Sequence, residues 1–524
     1  MSTFTFIIFG DLINNDPGEW ANIGYLAASL KEVKDINVSV NFYDISNLDM
    51  AINDAIKLTP DFIGVPILQY NLEISLKFIR DVKIHLINSC IITGNITASI
   101  FSTELMTDYP EIDYTIIGEG EKTIVELCDC LLNNRCIDDC QGIAYRRDGI
   151  VHKTKFREPI KDLDILPFPD RSYSNNSFGK YSIIGSRGCD GHCTFCDANT
   201  LYRYTNCSLG VRYRSIENII DEIEYLIKNW NAKSIYFSDS TFGDEKRLKE
   251  FYDSMVDKKI KIPMKINLRC DMLSSEMCHI LDKLTEVGLF HIILGVESGN
   301  DDDLRLYSKI SNIKINKIAL SNLKYLYTTP IPRIHLGIGF INFNPYSTIN
   351  KLKDNIDFLK ENKVLDFRTV ASKLIVTPSQ SLAIKLKRDN LLTEELNYQF
   401  TNGYAYNFAF DNINKLYNVV NYLSNTIDTT IYDRMYYLYN YIRLHRDVNG
   451  LEKGMVLLNE YNDYVGELVY KSFNKIIDML DKEEIAIKDI MDKELSNDKK
   501  ILKNFENELD KYGHKLGKLY FSIS

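Results

Sequence analysis

Ser186-Arg187-Gly188-Cys189-Asp190-Gly191-His192-Cys193-Thr194-Phe195-Cys196 sets three cysteines at C-x3-C-x2-C spacing, directly after a predicted strand at Tyr181–Ile184. Three thiolates on one tight loop suit three irons of a cubane [4Fe–4S] cluster, whose fourth iron stays open to a non-protein ligand. Zinc is the competing ion. It usually takes four closed ligands, and neither His192 nor Cys207 completes a familiar zinc spacing.

Downstream of this loop, Ile216, Ile219, Ile220, Ile223, Leu226 and Ile227 recur as one face of a helix. Ser234–Phe237, Lys265–Leu268, His291–Leu294 and His335–Ile341 read as strands with helices between them, and Thr369–Val376 reads as a sixth. That series predicts a partial β/α barrel, with its working residues at the carboxyl ends of the strands. Beyond about residue 385 the pattern is helical and rich in Tyr, Asn, Lys and Asp.

Upstream, strand-like and helix-like segments alternate. Thr3–Phe9, Val38–Tyr43, Phe62–Leu68, Cys90–Thr93 and Tyr114–Ile117 are the strands. Ile23–Glu32, Met50–Leu58, Leu72–Lys83 and Thr123–Leu132 are the helices. This alternation predicts a doubly wound parallel sheet, with ligands at the carboxyl ends of its strands. Gly142–Arg147 and Val151–Lys155 form a hairpin turned at Asp148–Gly149, and the two prolines of Leu163–Asp170 mark an extended linker. The expected division is 1–140, a hairpin and linker over 141–175, a barrel over 176–384 and a helical region over 385–524.

Composition narrows the function. A chain of 524 residues suits about three domains. The longest apolar runs, such as Phe62–Leu68, fall short of the ~18 residues of a membrane helix. Met1–Gly10 lacks the basic start and cleavage site of a signal peptide and reads as a first strand. A net charge of −10 gives no dominant basic face for nucleic acid. The 11 cysteines, an odd number without a secretion signal, point to reduced thiols in a cytoplasmic protein.

The cysteine loop, with its aromatic Phe195 before the third cysteine, resembles that of the radical S-adenosylmethionine (SAM) superfamily. Tyr236–Phe242 is similar to the second-strand segment of the cobalamin-associated members, with Ser240 at the second acidic position. Leu294–Gly299 is similar to their fourth-strand G-x-E-S-G, and Gly337–Pro345 to their fifth-strand segment. In the last, Asn342 and Asn344 replace small residues. The resemblance implies reductive cleavage of SAM to a 5′-deoxyadenosyl radical. It implies Asp239 as acceptor for the SAM amine, Glu297 and Ser298 as partners of the ribose or carboxylate, and Arg269 as a carboxylate partner. Gly337 and Gly339 would make room for the adenosine.

The amino-terminal region resembles the cobalamin-binding domains fused to such barrels. Asp16-Pro17-Gly18-Glu19-Trp20, Ile23–Ala27, Asp61–Val65, Ile117–Thr123 and the Leu163–Pro169 linker carry that likeness, which covers about residues 1–370. It implies cobalamin near Gly18, Glu19, Gly94, Gly118, Glu119 and Gly120, with Leu68 and Gln69 under the corrin. The D-x-H-x-x-G motif is absent and His85 lies in the wrong context, so no histidine ligation is expected. The implied reaction is methyl transfer to a weakly activated carbon of a small molecule or peptide, fed by an electron donor such as flavodoxin or ferredoxin. Rearrangement, cyclisation or cross-linking is the alternative.

Two further groups have blander readings. Cys128, Cys130, Cys136 and Cys140 could hold zinc or a second cluster, but free cysteine is commonly a small buried hydrophobe. Tyr432–Tyr441 reads as helix packing.

Overall fold

The computed structural model describes residues 1–10, 19–173, 179–198, 200–205, 210–329, 332–400, 402–426 and 451–520. Gly18, Cys207 and Tyr432–Tyr441 lie outside the described residues. Two compact units divide the chain. The first is Met1–Ala232 with Val376–Lys385 and Glu394–Gly403; the second is Lys233–Ile375 with Leu386–Thr393 and Tyr404–Ser524.

The first unit is built on a seven-stranded sheet. Its strands are β1 (Ser2–Gly10), β2 (Ile36–Asp44), β3 (Phe62–Pro66), β4 (Cys90–Gly94), β5 (Tyr114–Ile116), β6 (Ile143–Arg147) and β7 (Ile150–Lys153). They lie in the order β2-β1-β3-β4-β5-β6-β7. The first five are parallel. The predicted hairpin, β6–β7, adds antiparallel to β5 and extends the sheet. β1 is apolar almost throughout because both its faces are covered. Ile7 and Phe9 pack with Ile63, Val65 and Phe78 on one side, and Phe4, Phe6 and Ile8 with Ile23, Ala27 and Leu127 on the other. Strand order reverses between β1 and β3, so the ligand crevice of this sheet opens at Gly10 and Pro66.

Gly24, on the first helix (Ala21–Lys31), has a close-approach role. A Cβ there would stand 2.7 Å from Asp170 O. The bare backbone instead accepts a hydrogen bond from Asp170 N at 3.0 Å, which seats the proline linker on the helix.

The same unit continues into β8 (Lys180–Ile183) and β9 (Ser186–Arg187), which pairs antiparallel with β10 (Arg212–Tyr213). Ser215 caps the helix Ile216–Trp230 by accepting from Asn218 N. The predicted stripe of that helix is buried from Ile216 to Leu226, while Ile227 is exposed.

In the second unit, β11 (Ser234–Phe237), β12 (Met264–Arg269), β13 (Leu289–Glu297) and β14 (His335–Phe340) are parallel neighbours in chain order. Helices Glu245–Asp257, Ser275–Leu284 and Ile313–Tyr327 connect them. The predicted strand Thr369–Val376 is instead a helical turn, Phe367–Ala371, followed by a single parallel bridge between Lys373 and Phe343. Long helices Asp411–Thr426, Leu451–Asp478 and Glu484–Tyr520 complete the unit, as the sequence pattern predicts. No described helix is long and apolar enough to cross a membrane.

Candidate functional site

The cysteine loop belongs to the first unit. Gly188 enters it at φ +90°, where a Cβ would stand 2.3 Å from Gly210 O, so only glycine makes this turn. Cys189, Cys193 and Cys196 are half-buried. Gly191 N donates to Cys189 Sγ at 3.3 Å and Ala198 N to Cys196 Sγ at 3.4 Å. Among the described residues no His, Cys, Asp or Glu trio stands at single-ion spacing. Thiolates that each take a different iron need not converge on one ion, so three cysteines on this loop fit the cubane.

A returning segment holds the loop from outside. Leu382 N donates to Thr194 O at 3.0 Å, and Thr377 and Ser379 hydroxyls donate to Asp197 at 2.9 and 2.7 Å. The sequence reading missed this clamp, because nothing local links residues 180 positions apart.

The loop is also tied to the turn after β5. Arg187 pairs with Glu121 at 2.5 Å, and Arg212 with Glu119 at 2.7 Å. Glu119 further accepts from Ile160 N at 2.7 Å and Tyr202 OH at 3.0 Å. Burial alone raises its carboxyl, but Arg212 and Arg187 hold it below the ordinary carboxylate range. Gly120 packs against the first helix, where a Cβ would stand 2.9 Å from Leu26. Glu119 and Gly120, expected at the cobalamin, thus have structural partners in the protein.

Two other expected cobalamin contacts are also engaged elsewhere. Glu19 is fully buried, with Arg171 Nε 2.6 Å from its carboxylate and Ser182 N donating at 2.9 Å. The Gln69 amide donates to Tyr398 O at 3.0 Å and also to Phe400 O. Its nitrogen is therefore held by the backbone of Tyr398 and Phe400.

What stays open is the floor of the sheet. Gly118 has φ +94°, and a Cβ added there would meet nothing within 4 Å; at Gly94 it would meet only Ile116, at 3.7 Å. Bare backbone at the carboxyl ends of β4 and β5 fits a bulky ligand with a phosphate tail. Leu68 is half-buried at the neighbouring end of β3. His85 ends the helix Leu72–His85, which runs back from the crevice for roughly 20 Å at 1.5 Å per residue.

In the second unit three of the expected SAM residues, Arg269, Gly337 and Gly339, share one sheet face. Arg269, Gly295 and Gly339 align across β12, β13 and β14, and Asn267, Ile293 and Gly337 form the row before them. A register shift between Gly295 and Glu297 leaves Glu297 at φ +70°, a strained position for a non-glycine residue. Gly295 and Gly339 make room for its carboxylate, since Cβ atoms there would stand 2.8 and 3.3 Å from its oxygens. Burial pushes Glu297 up, against Lys309 at 3.4 Å.

Asp271 holds the Arg269 guanidinium in a fork, and Asp239 is buried with its carbonyl accepting from Asn267 Nδ2 at 2.8 Å. Asn267 Oδ1 is buried with no hydrogen-bond partner. This unmet acceptor, on the same face, fits a ligand that brings amine or hydroxyl donors. The sequence reading passed over Asn267, although a polar residue two before Arg269 in an alternating strand was the available signal.

Ser298 differs from expectation. Its hydroxyl donates to Asn355 Oδ1 at 2.9 Å and accepts from Asn300 N at 3.1 Å, fully buried, so it shapes the turn. Asn342 and Asn344 are likewise buried, donating to Val370 O and Tyr307 OH. Cys128, Cys130 and Cys140 lie in the sheet core, and burial pushes Cys128 and Cys140 up to about 12. These three thiols are core residues, whereas Cys136, the fourth of the group, is exposed.

Comparison with known proteins gives the same picture. The B12 binding domain family matches residues 12–128, and the Radical SAM superfamily matches residues 183–359. A curated relative, the anaerobic magnesium-protoporphyrin IX monomethyl ester cyclase of Rubrivivax gelatinosus, is 26% identical over 60% of this chain and 58% of its own. The chain spans about half the length of the curated relatives it matches. The cobalamin-dependent SAM radical enzyme OxsB, with aqua-cobalamin and SAM bound, superposes with a TM-score of 0.72 at 19% identity, covering 100% of this chain and 80% of that one. The radical SAM methyltransferase TsrM of Kitasatospora setae, with cobalamin and a [4Fe–4S] cluster, gives 0.59 at 12% identity over 74% and 78%. The cofactors of the two matched domains are cobalamin, a [4Fe–4S] cluster and SAM. With both domains in one chain and this fold, the protein belongs to the cobalamin-binding-domain-containing radical SAM enzymes.

Proposed function

We propose that the protein methylates a weakly activated carbon of a small molecule or peptide, in the cytoplasm, drawing electrons from a flavodoxin- or ferredoxin-like donor. The cluster with SAM supplies a hydrogen-abstracting radical, and cobalamin carries the methyl group. The observation that carries the reading is the Arg187–Glu121 and Arg212–Glu119 pairing, which fixes the cysteine loop to the strand-end turn of the cobalamin-type sheet. A reaction that uses both cofactors in one turnover needs that fixed distance, because a substrate radical must meet its methyl donor before it is quenched.

In this reading Cys189, Cys193 and Cys196 ligate the cluster. Asp239, Asn267, Arg269 and Glu297 orient SAM, with Gly337 and Gly339 beside them on β14. Gly94, Gly118 and Leu68 line the cobalamin crevice. The working division is 1–140 for cobalamin, 176–384 for the radical chemistry and 385–524 for substrate.

One observation favours a second reading, cyclisation or rearrangement: the curated relative named above is a cyclase. The nucleoside products decide between them. Methyl transfer should yield S-adenosylhomocysteine and 5′-deoxyadenosine in comparable amounts, with label from methyl-labelled SAM in the product. Deoxyadenosine alone, without label transfer, rejects methylation in favour of the cyclase-type reaction.

With no histidine at the crevice end of the helix Leu72–His85, and with the nucleotide tail displaced into the Rossmann-like fold, Co(II) cobalamin in the protein should show no axial-nitrogen splitting by electron paramagnetic resonance. A resolved nitrogen splitting would refute this assignment of the lower face.

A further inference from the structure

Lys373 sits at the carboxyl end of the barrel strands, bridged in parallel to Phe343, three residues past β14. Its ammonium lies 4.5 Å from the ring centre of Tyr406, 4.8 Å from Tyr417, 5.1 Å from Phe408 and 5.3 Å from Tyr404. The rings are braced by the protein. Phe343 packs edge-on to Tyr417 at 5.2 Å, and Tyr406 OH donates to Leu374 O at 2.8 Å. Ala409 N donates to Pro345 O at 2.8 Å, which fastens the aromatic segment to the end of the strand.

Among the described residues no carboxylate and no hydrogen-bond acceptor meets the Lys373 ammonium. Ring faces attract a cation but leave its three N–H donors without oxygen partners. Half-burial makes this shortage costly, and the burial also pushes the amine's pKa down. A surface lysine usually solves the problem by extending into water or toward an acid. This one is held among four rings, at the end of a β/α unit where such folds bind their substrates.

We infer that Lys373, with Tyr404, Tyr406, Phe408 and Tyr417, is a subsite for a carboxylate or phosphate carried on a flat apolar body, and that this group anchors the substrate. The ammonium supplies the charge that the oxyanion needs, and the rings flank the body attached to it. The inference rests on reading the protein as an enzyme that works at these strand ends.

Isothermal titration of the full-length protein with phenyl phosphate, benzoate and neutral benzamide tests the subsite. At least one anion should bind tenfold or more tighter than benzamide, and which one does separates a phosphate from a carboxylate substrate. Lys373→Met should remove the preference and Lys373→Arg should keep most of it. Tyr404→Ala, at the half-exposed edge, should narrow the gap between phenyl phosphate and inorganic phosphate. Equal binding of anions and benzamide, or an unchanged Lys373→Met, would show that the rings alone satisfy the lysine and overturn the inference. SAM cleavage on the same preparations keeps the two readings apart. Lost anion preference with cleavage intact overturns the subsite alone, whereas absent cleavage in the wild type overturns the enzymatic reading beneath it.

Discussion

Anaerobically reconstituted protein carrying Cys189→Ala, Cys193→Ala and Cys196→Ala should bind no cluster iron at this loop and form no 5′-deoxyadenosine above background. Each cysteine is half-buried on a loop, so the thermal midpoint should move little. Cobalamin uptake should persist, because the floor at Gly94 and Gly118 is built from other strands. Iron and sulfide analysis, the charge-transfer absorption of the cluster and nucleoside chromatography are the measurements. Full SAM cleavage by the triple variant would sink the assignment. Cluster iron that persists without cleavage would point to a second site. The buried thiols Cys128, Cys130 and Cys140 make a poor one, since burial holds their protons on.

The parallel sheet, the barrel strands and the cysteine loop were legible because each is written locally. Period-2 or fully apolar runs, helix stripes and a three-cysteine spacing need no distant partner to be recognised. Thr369–Val376 misled for a local reason too. Its β-branched run suggests a strand, yet Asp366 accepts from Thr369 N while the Thr369 hydroxyl accepts from Asp366 N. That reciprocal cap nucleates a helical turn and outweighs β propensity. The polar candidates differ, because each has a distant protein partner. Glu119, Glu19, Gln69 and Ser298 each sit beside a motif, and sequence shows their chemistry but not their partners. Those partners, Arg212, Arg171, Phe400 and Asn355, lie 57 to 331 positions away. Lys373 was missed because an unmet donor exists only once the surrounding residues are placed.

Arg171→Met should cost about 3–5 kcal/mol, the range for removing one partner from a buried ion pair. That is a large part of the roughly 5–15 kcal/mol that holds a typical domain folded. The side chains of Arg171, Glu19 and Glu222 have no exposed surface, with ion-pair distances of 2.6 Å to Glu19 and 2.7 Å to Glu222. Arg171 also donates to Ser182 O at 2.8 Å. It thereby joins three segments: the entry to the first helix at Glu19, β8 leading to the cysteine loop, and the helix Ile216–Trp230. Removing the guanidinium strands the Glu19 carboxylate in the interior, while Glu222 keeps Arg214. The expected result is a steep fall in the urea midpoint, or failure to accumulate folded protein. Adding Glu19→Gln to Arg171→Met should recover part of the loss, because the stranded charge is then gone. The same pair of variants decides what Glu19 does. A cobalamin ligand would, when changed alone to Gln, weaken cobalamin uptake and leave stability and any rescue of Arg171→Met untouched. The buried pairing requires the reverse, with stability lowered, uptake by the folded fraction retained and a coupling in the double-mutant cycle.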